Sequence, residues 1–123
     1  MVMHDYARRF VLIESFERWW KALGLDDDDL RALEFAIQAD PDRHPVIRET
    51  GGLRKIRFAA PGSSRGKSGS YRVGYSHFPN PGLVLLLLVW AKSEKDEISK
   101  AECHAIADAL TRFESLIRTG AIP

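Results

Sequence analysis

Apolar positions along the chain follow two periods, and the switches between them mark out elements. RFVLIES, residues 9 to 15, reads as a short strand. FERWWKALGL then carries Phe16, Trp19, Trp20 and Leu23 at helical spacing, with Gly24 as a stop and both tryptophans expected in the packed interior. DDDDLRALEFAIQADP opens a second helix whose stripe is Leu30, Leu33 and Ile37 and whose end is set by Pro41. From Leu53 the period changes to two: Leu53, Lys55 and Arg57 point one way, Arg54, Ile56 and Phe58 the other. The Gly/Ser-rich stretch from Pro61 to Ser70 predicts a hairpin loop, and YRVGYSHF predicts its return strand, with Arg72 and Gly74 opposite Tyr71, Val73 and Tyr75. After the turn PNPG, LVLLLLVWA is apolar throughout, as a central strand buried on both sides would be. Ser99 and Glu102 have capping-box spacing ahead of a last helix that Gly120 ends.

The order β-α-α-β-β-β-α predicts one α+β domain over residues 1–123, a small antiparallel sheet with its helices packed on one face and the other face partly open. Composition agrees with a globular chain, at 45% hydrophobic and 28% charged. One cysteine, Cys103, rules out an intramolecular disulfide or a cysteine-rich metal site, as in a reducing compartment. The longest apolar run has nine residues, against roughly 20 for a membrane-spanning helix, and MVMHDYARR lacks a signal-peptide core. A cytoplasmic protein with no membrane association is expected.

Charge changes the picture. The totals nearly cancel, with 18 Lys+Arg against 17 Asp+Glu, but the signs are segregated. Asp26 to Asp29 suit the positive end of a helix. Residues 51 to 75 hold six cations and no carboxylate. Strand parity collects Lys55, Arg57 and Arg72 on the face away from the helices, Gly74 leaves room there, the loop adds Arg65 and Lys67, and KSEK adds Lys92 and Lys95 at the sheet's end. A solvated sheet face is the plain alternative, since exposed lysines also protect strand edges. Solvated faces usually mix signs, however, and a concentrated basic field attracts phosphate even at low net charge. GSSRGKSG is not a phosphate-binding P-loop: its spacing is one residue short, and it joins two strands. His77 is the histidine nearest the dish, but it shares parity with Tyr71 and Tyr75, which read as core.

TGGLRKIRFAAPGSSRGKSGSYRVGY, with LVLLLLVWAKSEKDEISKAE after it, resembles the RelE superfamily of bacterial toxins, in its HigB-like branch, over about Asp40 to Leu110. The resemblance implies a toxin of a type II toxin–antitoxin system acting as a ribosome-dependent mRNA endoribonuclease, neutralised by a helix-turn-helix antitoxin. It implies cleavage without metal or cofactor, by attack of the RNA's own 2′-OH on the adjacent phosphate. Its basic strand falls on Lys55 and Arg57, its next arginine on Arg72, and its late basic segment on Lys92 and Lys95. In this assignment Lys55 is the general base, since neighbouring cations favour neutral lysine. Arg57 and Arg72 clamp the phosphate. Lys92 or Lys95 binds or protonates the leaving oxygen; Arg54, Arg65 and Lys67 contact RNA and ribosome phosphates. Ser93 replaces the family's asparagine, and no tyrosine follows it, so the general acid is unassigned. Two other functions fit the same fold: a gyrase-poisoning toxin, and an inactive RNA- or antitoxin-binding module.

Overall fold

A strand made wholly of apolar residues needs cover on both faces, and the central strand has it. The computed structural model describes residues 2–5, 8–60, 70–95 and 97–121. Its elements are β1 (Val2–Asp5), β2 (Arg9–Leu12), α1 (Glu14–Ala22), α2 (Asp27–Ala39), β3 (Arg54–Ala59), β4 (Ser70–Phe78), β5 (Leu83–Ala91) and α3 (Lys100–Arg118). The strands form one five-stranded sheet in the order β1-β2-β5-β4-β3, with β5 in the middle. The expected α+β class and central strand are both present. β1 is an additional strand, four residues long, whose sequence VMHD does not alternate.

Two expectations are corrected. The sheet is mixed, because β2 runs parallel to β5 (Arg9 opposite Leu83, Leu12 opposite Leu86), while β1–β2, β3–β4 and β4–β5 are antiparallel. The chain between β2 and β5 contains two helices and a hairpin, long enough for the crossover a parallel pair requires. The helices, moreover, lie on both faces. Phe16 and Trp20 of α1 and Leu30, Leu33 and Ile37 of α2 share a cluster with Phe10, Leu12, Ile56, Tyr71, Val73, Val84 and Leu86. Ile106, Leu110 and Phe113 of α3 pack on the opposite face with Val11, Leu53, Leu83, Leu85 and Leu87. Val84, Leu86 and Val89 of β5 enter the first cluster and Leu83, Leu85, Leu87 and Leu88 the second, so both faces of the strand are apolar.

Local chemistry sets the helix limits. Asp26 caps α2, its carboxylate accepting from the Asp29 amide at 2.8 Å while Asp29 returns the bond at 3.0 Å. Trp20 donates its indole N–H to the Asp26 carbonyl at 3.0 Å, fixing α1 to the start of α2. Successive helical residues diverge by about 100°, so Trp20 is buried whereas its neighbour Trp19 is 42% exposed and not in the core. At α3 the expected capping box is made by Ser99 and Glu102, with bonds of 3.1 and 2.9 Å. Among the described residues no helix is long and apolar enough to cross a membrane.

Candidate nucleic-acid interface

Strand register decides which cations meet. β3 and β4 place Arg57 opposite Arg72, and β4 and β5 place Arg72 opposite Trp90, so the three lie in one row across the sheet. The next row is Lys55, Gly74 and Leu88. The backbone ladder continues past β5, where the Lys92 amide donates to the Ser70 carbonyl at 3.2 Å and carries Lys92 alongside the Arg72 end of β4. Lys55, Arg57, Arg72 and Lys92, with Glu97, line one cleft of about 350 Å³. Four of the five predicted catalytic cations therefore converge. They do so on the α3 side of the sheet, beyond the helix, not on a face free of helices.

Arg72 is the most constrained of the four. It is 6% exposed, and its Nη1 donates to the Ser70 hydroxyl at 3.2 Å and to the Tyr71 carbonyl at 3.3 Å, both neutral acceptors. Among the described residues no carboxylate forms an ion pair with Arg72, Arg57, Lys55 or Lys92. Burying a guanidinium without a counter-charge is costly, and like charges opposite one another across strands repel. An anion in the cleft offsets both penalties.

Several predicted positions lie elsewhere. Lys95 turns away to α3: its Nζ donates to Glu102 at 2.9 Å and rests 5.7 Å from the Trp90 ring centre. That bond, with those from Ser99, holds the Glu102 carboxyl down at about 2. Arg54 has the opposite strand parity to Lys55 and serves as an anchor. Its Nη1 donates to the carbonyls of Asp42 (2.9 Å) and His44 (2.7 Å), and its Nη2 lies 3.7 Å from the Asp42 carboxylate. It is not in the cleft. Arg65 and Lys67 fall outside the described residues. The space expected over Gly74 is filled: a Cβ there would meet Leu53 at 3.0 Å.

His44, His77 and His104 do not line the cleft. His77 Nδ1 lies 2.8 Å from Asp42 Oδ1, and this contact is the main reason that the Asp42 carboxyl sits below its ordinary value. Burial pushes His44 down, and its ring meets that of Tyr75 edge-on at 6.2 Å. Tyr75 is core, as is Tyr71; its hydroxyl donates to the Pro41 carbonyl at 2.6 Å, and burial raises it to about 12. Together Arg54, Tyr75 and His77 tie the segment after α2 to the sheet.

Two residues of the site were not anticipated. Among the described residues Glu97 is the one carboxylate lining the cleft, and its signal was its place in the short KSEKDE segment between β5 and α3. Trp90 shares the row of Arg72 because the register shifts between Gly74 and Tyr75 and skips Leu87, an irregularity that strand parity alone does not reveal. No known protein-family model matches the chain.

Proposed function

We propose that the chain is an endoribonuclease of the RelE-like toxin type, cutting messenger RNA through 2′-OH attack. The convergence of Lys55, Arg57, Arg72 and Lys92 on one cleft, without paired carboxylates among the described residues, is the observation that carries it. A phosphodiester adds negative charge to a cleft where Glu97 stands against four cations, and fixed donors at a phosphorane stabilise the charge that develops there. Arg57 and Arg72 hold the non-bridging oxygens, for which a planar fork of N–H groups is suited.

Lys55 takes the 2′-OH proton as the 2′ oxygen bonds to phosphorus. The bond from phosphorus to the 5′ oxygen breaks, and Lys92 delivers a proton to that oxygen. The products are a 2′,3′-cyclic phosphate and a 5′-OH. Lys95 has no place in this scheme, since Glu102 holds it outside the cleft. A helix-turn-helix antitoxin and the ribosome are the partners that accompany this reading.

The test is cleavage of messenger RNA on programmed ribosomes, with the new 5′ ends mapped. Arg72→Ala should lower the rate by about 10²–10³, the usual loss for one preorganised donor. A rate within twofold of the parent would refute the assignment. Breaks confined to DNA on induction would point to gyrase, and binding without cleavage to an inactive module.

A further inference from the structure

A second concavity adjoins the cationic cleft. It has a volume of about 430 Å³, and Lys55 and Glu97 line both. Its character is different. Trp90, Val46, Ile47 and Ile98 contribute apolar walls, and Val46 is 48% exposed. The outer wall is firmly built. The Ile47 amide donates to the Leu53 carbonyl at 2.8 Å and the Lys55 amide to the Pro45 carbonyl at 3.0 Å, so this segment runs antiparallel along the start of β3. Thr50, fully buried, donates to the Ile47 carbonyl at 2.6 Å and accepts from the Leu53 amide at 3.0 Å. Glu49 takes a left-handed φ of 63°, rare for a non-glycine residue and maintained only where the surroundings enforce it. A branched apolar side chain is thus held in the open beside a phosphate-sized cluster of cations.

We propose that this groove receives a nucleobase of the RNA strand whose phosphate lies in the cationic cleft, with Glu97 reading an amino edge of that base. The inference rests on the proposed RNA-cleaving function and names a subsite for it. Three features converge on a base. RNA presents a flat apolar surface one sugar away from each phosphate, and single-stranded RNA is recognised by packing its unstacked bases against side chains. Continuity through Lys55 and Glu97 sets the two concavities at neighbouring points of one strand. A carboxylate only accepts hydrogen bonds. Glu97 therefore favours bases with amino donors, as carboxylates do with cytosine in DNA. Guanine, with imino and amino donors side by side, matches both carboxylate oxygens. Uracil, whose lone imino donor is flanked by carbonyls, matches worst.

The test uses fluorescently labelled trinucleotides with 2′-fluoro sugars, which lack the attacking hydroxyl, carrying guanine, uracil or an abasic unit at the central position. Anisotropy titrations should show guanine binding about tenfold or more tighter than the abasic unit, as expected for packing one base. Val46→Ala and Ile98→Ala should remove most of that difference while leaving the abasic affinity unchanged. Glu97→Gln, an exposed substitution that keeps size and folding, should bring the guanine and uracil affinities together. Equal affinities for all three probes, with binding still abolished by Arg72→Ala, would overturn the base subsite and leave the phosphate cleft standing. Binding of none of them would overturn both readings.

Discussion

At the scale of single residues, the cleft is a place where the free protein is less stable than its sheet permits. Arg57 and Arg72 face one another across β3 and β4, and cross-strand pairs contribute roughly 0.2–1 kcal/mol, unfavourably for like charges. Arg57 is exposed, so its removal leaves no cavity. Arg57→Ala should therefore raise the thermal midpoint slightly while weakening RNA binding, a trade of activity for stability read by calorimetry and anisotropy on the same sample. Strand alternation made this pair legible in the sequence, together with Lys55. It also carried the correction for Arg54, whose parity is opposite. Lys95 was not legible, because its direction depends on where α3 begins in space, and nothing in KSEK states that a carboxylate of the next helix will claim it. Glu97 was overlooked for the converse reason, as one acidic residue in a run of mixed charge.

At the scale of elements, caps and clasps define the molecule's response to acid. Glu102 has a folded value of about 2, below its ordinary 4.5, with the bond from Lys95 as the largest cause. A depressed carboxyl contributes stability that is present above pH 4.5 and lost as the pH falls toward 2. The first turn of α3 should accordingly loosen in that window, seen as faster amide exchange at residues 100–103. Lys95→Ala should move the Glu102 titration upward toward 4.5, read by carbon NMR of its carboxyl group. A titration unchanged by the substitution would show that the Ser99 bonds alone hold it. The capping box of α3 was readable beforehand from Ser99 and Glu102, and the aspartate run marked the start of α2 without announcing the Asp26–Asp29 box that forms there. The extra strand β1 was not readable: among the described residues it pairs with β2 alone, and VMHD does not alternate apolar and polar positions.

At the scale of the whole molecule, three layers replace the two expected. The sign of this was present in LVLLLLVWA, because a strand apolar at every position requires a second layer, and among the described helices α3 is the one not committed to the other face. What the pattern could not convey was the parallel pairing of β2 with β5, which depends on contacts between distant segments. The three-layer arrangement has a direct energetic consequence. Leu33 on the α1–α2 side and Leu110 on the α3 side are both buried, at 0% and 4% exposure. Leu33→Ala and Leu110→Ala should each cost about 2–5 kcal/mol in denaturant unfolding. A small effect at Leu110 alone would mean that α3 is loosely attached.

The pairing of β2 with β5 joins Arg9 to Leu83 across most of the chain, whereas β3, β4 and β5 are consecutive. Nearby segments meet cheaply, and distant ones carry a larger loop-closure entropy. A ribosome releasing this chain from its N-terminal end must therefore extrude β2 long before its mate exists. The first strands wait, one edge exposed, until Leu83–Ala91 has emerged.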